Sequence, residues 1–269
     1  MNMMSIEQLF SVQGKVALVT GGSRGIGKMI AQGLIAGGAK VYISARKADA
    51  CDATAAELGP NCISLPADVS SVEGARQLAA RLAEHEQRLD ILVNNAGAAW
   101  GAEFEDFPEI GWDKVMDLNV KSPFFLTQSL HGLLKAGASA ETPAKVINIS
   151  SVDGMRVNPW ETYSYQASKA ALIQLTKRMA VRLLRDHIYV TGIGPGAFPS
   201  DMNKAARDYG DMVANSIPNK RVGDWQDISG AVIFLASRAG DYVIGTTIPV
   251  DGGIVNASVP SGGYDPEGH

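Results

Sequence analysis

The sequence predicts an α/β fold: a single doubly wound domain with a parallel sheet of about seven strands and helices on both faces. Three observations predict it. Short runs that are apolar on both faces alternate with helical patterns, as β-α-β units require. The first run ends in a glycine cluster that opens a helix. No composition break marks a second domain, so residues 1–256 form one unit and the Gly/Pro/Ser-rich stretch 257–269 a tail.

The elements follow in order. Lys15–Thr20 is a β-branched strand, and Ile26–Ala36 has helical spacing. Lys40–Ala45 is the second strand and Asp49–Leu58 the second helix. Asn61–Leu65 is the third strand. Ser71–Arg88 is a helix opened by a serine cap. Leu89–Asn94 is the fourth strand, and Trp112–Leu134 a long, largely apolar helix. Lys145–Ser150 is the fifth strand and Tyr163–Arg185 another long helix. Ile188–Ile193 is a strand, Gln226–Ala236 a helix and Thr246–Val250 the last strand. Residues 136–144 are a small-residue surface loop.

The 269 residues carry a net charge of −4, which argues against non-specific nucleic-acid binding and against electrostatic attachment to anionic lipid. No apolar run approaches the length that spans a bilayer, and the start is too polar for a signal peptide. The expected compartment is the cytoplasm. Cys51 and Cys62 are too few for a disulfide framework and are expected to be reduced. His85, His131, His187 and His269 are scattered, so no metal site is expected.

Thr20–Gly27 reads TGGSRGIG, with Gly21, Gly25 and Gly27 at the positions where a backbone turns from strand to helix and approaches a pyrophosphate. The helix N-terminus then offers free N–H groups and a positive dipole. The second strand ends without an acid that could bond a ribose 2′-OH. Arg46 instead offers a planar fork for a 2′-phosphate, with Arg24 to assist, which points to NADP(H). Asp68 is either an acceptor for the adenine amino group or a helix cap.

Tyr165 and Lys169 are spaced i, i+4, so one helix face carries both. A nearby ammonium lowers the pKa of a phenol and lets the pair act as general acid or base. Ser151 ends the fifth strand, at the carboxyl edge where ligands sit in open α/β sheets.

At this point the chain resembles the short-chain dehydrogenase/reductase family, whose fold is Rossmann-like. The matching elements are TGGSRGIG at Thr20–Gly27, NNAG at Asn94–Gly97, Asn119-Val120, ISS at Ile149–Ser151, YQASK at Tyr165–Lys169 and Pro195-Gly196. They occur in family order and spacing over roughly residues 12–255. The resemblance implies an NADP(H) site made of Gly21, Ser23, Arg24, Gly25, Ile26, Gly27, Arg46, Asp68, Val69, Asn95, Ala96, Gly97, Tyr165, Lys169, Pro195, Gly196 and Ser200. It implies Tyr165 as the acid that protonates a carbonyl oxygen, with Lys169 lowering its pKa and holding the nicotinamide ribose. Ser151, rather than Ser150, aligns with the family serine. Asn119 corresponds to the residue that holds a water and links Lys169 to solvent, or is a helix-kink residue. Asn148 is expected to be structural. Thr191 and Gly194 stand where relatives often have Asn and Ala, and Ser200 where many have Thr.

The pattern further resembles bacterial 3-oxoacyl-ACP reductases, through KVINISS at Lys145–Ser151, PSDM at Pro199–Met202 and PVDGG at Pro249–Gly253. The insertion at residues 138–145 is similar to that of the type associated with rhamnolipid synthesis. The implied activity is NADPH-dependent reduction of a ketone, a 3-oxoacyl thioester first, by an oxidoreductase of the CH–OH class. Another small apolar ketone or alcohol, and a non-catalytic nucleotide-binding protein, are the alternatives. Asn203–Arg221 is the expected lid, with Met202, Met212, Val213 and Ile217 as an apolar wall and Met155, Val157, Pro159 and Trp160 opposite. Lys204, Arg207, Lys220 and Arg221 are candidate contacts for an acyl-carrier protein. The two long apolar helices imply pairing across subunits in a homotetramer.

Overall fold

The computed structural model describes residues 4–258. A short helix α1 (Ile6–Leu9) precedes β1 (Val16–Thr20), α2 (Gly25–Ala36), β2 (Lys40–Ser44), α3 (Ala48–Leu58) and β3 (Cys62–Ser64). Then come α4 (Val72–His85), β4 (Ile91–Asn94), α5 (Glu109–Met116), a π turn (Asp117–Lys121), α6 (Ser122–Ser129) and α7 (His131–Gly137). The second half contains β5 (Ala144–Ile149), α8 (Tyr163–Leu183), β6 (Ile188–Pro195), α9 (Lys204–Asp208), α10 (Gly210–Asn215), α11 (Trp225–Ala236) and β7 (Thr247–Val250). The expected tail 257–269 lies almost wholly outside the described residues.

The sheet has the order β3-β2-β1-β4-β5-β6-β7, and every pairing is parallel. Strand order reverses between β1 and β4, which are neighbours through Ala17↔Ile91 to Val19↔Val93. The connections that leave the carboxyl ends of these two strands therefore run to opposite faces of the sheet and leave a crevice. Alternation along each strand divides the core into two layers. Ala17, Val19, Ile43 and Val93 face α2 and α11. Leu18, Tyr42, Leu92 and Val146 face α4, α6 and α8.

The elements lie where the residue pattern puts them, with one substantial exception. Ser71 caps α4 by accepting the Gly74 N–H at 3.1 Å, although that helix ends at His85 rather than Arg88. The expected continuous helix Trp112–Leu134 is instead α5, the π turn, α6 and α7. Pro123, in the first turn of α6, has no N–H to return to the Asn119 carbonyl, so a regular α-helical register cannot run through this point. The lid region, with no strong pattern of its own, forms the two short helices α9 and α10.

Asn148 is structural, as expected. Its side chain accepts from Asn94 Nδ2 at 2.9 Å and donates to Thr176 Oγ1 at 2.9 Å, tying β4, β5 and α8 together in the core. Asn148→Ala would leave Asn94 and Thr176 without these partners, a loss of about 1–3 kcal/mol. Urea unfolding should show it, and a midpoint equal to wild type would mean that the network contributes nothing.

Candidate active site

The glycine-rich turn is built from contacts at van der Waals limits. Gly21 and Gly25 have φ of 65° and 51°, left-handed values that glycine adopts at no steric cost. A Cβ on Gly27 would stand 2.3 Å from the Gly21 carbonyl oxygen and 2.4 Å from Asn95 Nδ2. Asn95 Nδ2 donates to the Thr20 carbonyl at 2.8 Å and to that of Gly21 at 3.3 Å. Thr20 Oγ1 in turn accepts the N–H groups of Asn95 and Ala96, each at 3.0 Å. The turn after β1 and the segment after β4 are thus stitched together across the reversal of strand order.

Arg24 is the N-cap residue of α2 and provides no side-chain cap. The N–H groups of the first turn are then left for a ligand, and the glycines give close access to them. This cradle fits a dinucleotide pyrophosphate. The Ser23 carbonyl accepts from Thr54 Oγ1 at 2.8 Å, and Ile26 packs against the core. Arg46 is exposed just past β2. Arg24, the second arginine expected at a 2′-phosphate, pairs with Asp201 at 2.5 Å. Asp68 is exposed and accepts the Ser70 N–H at 3.0 Å; the cap of α4 is Ser71. The Val69 side chain is turned into the core. Pro195 ends β6, the Gly196 N–H donates to the Val250 carbonyl at 3.0 Å, and Ser200 Oγ accepts the Asn203 N–H at 3.0 Å.

Ser150 and Ser151 follow β5 and divide two tasks. Ser150 Oγ donates to the Lys169 carbonyl at 2.8 Å, latching the strand end to α8. Ser151 Oγ accepts the Asp153 N–H at 3.1 Å and faces the Tyr165 phenol. Lys169 Nζ donates to the Ile149 carbonyl at 2.9 Å and lies 5.6 Å from the centre of the Tyr165 ring. Asn119, in the π turn and fully buried, receives the Ala98 N–H at 2.8 Å and donates to the Ala98 carbonyl and Ser168 Oγ at 2.8 and 2.9 Å. Gly97 lets these groups converge: a Cβ there would stand 3.2 Å from Asn119 Oδ1 and 3.6 Å from Lys169 Nζ.

Burial dominates the electrostatics of this cluster. Desolvation pushes Tyr165 up to about 12, against an opposing hydrogen bond from Ser151, and the Asp153 charge adds to the rise. Desolvation pushes Lys169 down to about 8, with Asp153 opposing. The phenol expected to stand lowered beside the ammonium is thus raised in the protein alone, because loss of water outweighs the Ser151 hydrogen bond. At neutral pH the phenol holds its proton and the lysine its charge.

Beside the loop that follows Ser151 lies a cavity of about 750 Å³ walled by Phe104, Phe107, Trp112, Val157, Pro159, Trp160 and Tyr163. The expected wall residues Val157, Pro159 and Trp160 are there, but Met155 is not. Its Cε fills the space that a side chain on Gly194 would need, 2.7 Å from a Cβ built there. Ile217 does not wall this cavity; it is buried with Val152 and Ile254 and lines a separate pocket with Phe198 and Gly252. Met202 and Met212 are exposed, and Val213 packs beside Ile217. Phe104, Phe107 and Trp112 escaped the sequence reading because they precede or open a helix assigned to packing. Among the four basic candidates, Arg207 pairs with Asp201 and Asp208, and Arg221 with Asp227. Lys220 Nζ is bonded to the Asn215 carbonyl at 2.8 Å, and Lys204 is exposed, so three of the four are engaged within the chain. Among the described residues no cluster has the makeup of a metal site, and no helix is long and apolar enough to cross a membrane.

Titration of Lys169 links this site to stability. Its pKa is lower in the folded chain, about 8 against 10.5, so between those values the unfolded chain holds more protons and stability rises with pH. Wild type should gain on Lys169→Met by up to about 1.4 kcal/mol per pH unit over that window. Urea unfolding across the window checks this, and a constant gap between the two proteins would remove the shift.

Comparison with known proteins agrees with this geometry. A family model described as enoyl-(acyl carrier protein) reductase matches residues 21–255. The rhamnolipids biosynthesis 3-oxoacyl-[acyl-carrier-protein] reductase of Pseudomonas aeruginosa is 51% identical over 249 residues, 91% of this chain and 97% of that protein. The 2-dehydro-3-deoxy-D-gluconate 5-dehydrogenase of Dickeya dadantii is 37% identical over 255 residues, covering 91% and 96% of the two chains. Among solved structures, the Pseudomonas aeruginosa RhlG/NADP active-site complex superposes with a TM-score of 0.89 at 49% identity, covering 92% of this chain and 99% of that one.

Proposed function

This chain belongs to the short-chain dehydrogenase/reductase family, and from that premise we propose that it is an NADPH-dependent reductase of 3-oxoacyl thioesters. The observation that carries the reading is the meeting of Ser151, Tyr165 and Lys169 at the carboxyl edge of the sheet, beside the open N-terminus of α2. The relatives named above include a 3-oxoacyl-[acyl-carrier-protein] reductase and a complex with NADP.

When bound, NADPH supplies the hydride that reduces the ketone carbon. The backbone from Gly21 to Gly27, with Ser23, Arg24 and Ile26, is assigned to hold the pyrophosphate, and Arg46 the 2′-phosphate. Asp68 and Val69 with Asn95, Ala96 and Gly97 flank the adenosine end, and Pro195, Gly196 and Ser200 the nicotinamide end. The Ser151 hydroxyl and the Tyr165 phenol hold the carbonyl oxygen, an electrostatic role for the charge that develops there. Tyr165 then gives its proton to that oxygen, and the Lys169 ammonium stabilises the phenolate left behind. Asn119 braces Ala98 and Ser168 with both side-chain N–H donors, so a water beside Lys169 would have to be held by groups other than that amide nitrogen.

The aromatic cavity supports an apolar substrate portion. Its rim carries Glu109 and Glu161, with Glu103, Glu105 and Asp106 exposed nearby. Such a rim disfavours an anionic sugar acid and accepts a neutral acyl chain. A carrier-bound thioester is the proposed physiological form, with exposed Lys204 as the candidate carrier contact that is not engaged within the chain. Exposed Phe124, Val181 and Leu184 support burial of the long helices between subunits in a homotetramer. A cytoplasmic location and a single catalytic domain over residues 1–256 complete the proposal.

The test is NADPH and NADH oxidation at fixed pH with 3-oxoacyl thioesters of coenzyme A and of carrier protein, against keto sugar acids and unrelated ketones. Turnover of sugar acids but not thioesters would discard the acyl assignment. Tyr165→Phe should bind NADPH as wild type does and lose about 10²–10⁴-fold in kcat; comparable turnover would remove Tyr165 from the chemistry. Arg46→Asp should move the NADPH-to-NADH ratio of kcat/KM by about tenfold or more toward NADH. An unchanged ratio would place the phosphate contact elsewhere.

A further inference from the structure

The turn after β5 carries an ionisable group that the chemistry above leaves unused. Asp153 lies in the single 3₁₀ turn Val152–Gly154, immediately beyond Ser151 and Val152. Its N–H donates to Ser151 Oγ at 3.1 Å, so it is tied to the hydroxyl that faces Tyr165. The turn has no slack against α8. A Cβ on Gly154 would stand 2.6 Å from the Lys169 carbonyl carbon, and Ser150 Oγ holds the Lys169 carbonyl from the other side. Asp153 is half-buried, and among the described residues its carboxylate has no ion-pair or hydrogen-bond partner.

We propose that Asp153 is a positioning residue of the active site, whose carboxylate acts through Tyr165 and Lys169 to keep the proton on that pair into the alkaline range. The proposal rests on the assignment of Tyr165 as the proton donor. A carboxylate near a phenol and an ammonium disfavours the phenolate and favours the ammonium. Its charge acts upward on both groups.

Other charges around the pair are already engaged or distant in role. From α5, Lys114 lies over the Trp100 ring at 5.4 Å. From the π turn, Asp117 and Lys121 pair with each other at 3.1 Å. β6 carries no charged side chain, and Arg156, on the same loop as Asp153, is exposed. The Asp153 charge bears on both groups in the same direction, so its loss lowers both. Ketone reduction needs the protonated phenol, and its alkaline limb therefore moves to lower pH.

The experiment is the pH profile of kcat for reduction of acetoacetyl-coenzyme A by the NADPH-bound enzyme. Asp153→Asn keeps the backbone N–H that bonds Ser151 and removes only the charge. Its alkaline limb should move down by about half a pH unit or more, with KM for NADPH unchanged. Asp153→Glu keeps the charge and should hold the limb at the wild-type position. A limb that stays in place in Asp153→Asn, or that moves equally in both variants, overturns the proposal. A purely structural role would lower kcat at every pH and leave the limb where it was. If Asp153→Asn fails to bind NADPH, Asp153→Ser supplies the neutral variant. Tyr165→Phe separates the two levels: retained turnover there sinks the donor assignment, whereas an inactive Tyr165→Phe with an unmoved Asp153→Asn limb sinks the role of Asp153 alone.

Discussion

Everything at the carboxyl edge of this sheet depends on the close approach of Gly27 to the Gly21 carbonyl and the Asn95 amide. A methyl group there would sit 2.3 Å from one and 2.4 Å from the other, inside any tolerable contact. The helix α2 is thereby brought against the strand it leaves, and its first turn points into the crevice. The same asparagine holds the segment after β4 in place through the Thr20 and Gly21 carbonyls. Gly97, two residues on, then sits where Asn119 and Lys169 converge. One backbone contact thus aligns the phosphate cradle with the proton-transfer groups, although these come from opposite halves of the chain.

The two edges of the sheet handle buried charge in different ways. At the amino edge, Lys145 is almost wholly buried and is matched by Asp241 at 2.7 Å, which Arg238 also holds. Such a closed pair satisfies its charges and offers nothing to a ligand. At the carboxyl edge, Lys169 bonds a carbonyl oxygen and lies beside a phenol ring, with no ion-pair partner among the described residues. Desolvation there outweighs the Asp153 charge on the lysine and the Ser151 hydrogen bond on the phenol, which keeps the phenol protonated and the ammonium acidic. Perturbed groups of this kind mark functional sites with more weight when, as here, they converge in a crevice.

Much of this was legible in the sequence, and the misses have physical causes. Strand and helix alternation, the glycine turn and the Tyr165–Lys169 spacing depend on local periodicity, which residues display directly. The break of the long helix at Asn119 was also visible, in Pro123, but the surrounding apolar pattern is strong enough to hide one residue that cannot donate. Met155 and Ile217 were assigned to a pocket wall by their apolar character alone. Which cavity an apolar side chain lines, if any, depends on tertiary neighbours, here Gly194 for Met155 and the separate pocket with Phe198 for Ile217. Phe104, Phe107 and Trp112 show the converse, since nothing local separates an aromatic that walls a cavity from one that packs a helix. The rise of Tyr165 was beyond reach for a further reason: spacing places an ammonium beside a phenol but says nothing about how much water the fold removes.

The adjacent serines show how two consecutive residues can divide a task. Both follow β5, and both reach α8, at different points. Ser150 is directed at the backbone of α8 and spends its proton on the Lys169 carbonyl. Ser151 is directed into the crevice, where its oxygen meets the Asp153 N–H and the phenol. The first fixes the helix that carries Tyr165 and Lys169; the second acts with them. Both positions follow from the register of β5, and a slip of one residue would turn every side chain of that strand to the wrong layer of the core. The pairing of β5 with β4 and β6 therefore specifies the chemistry as firmly as it specifies the packing.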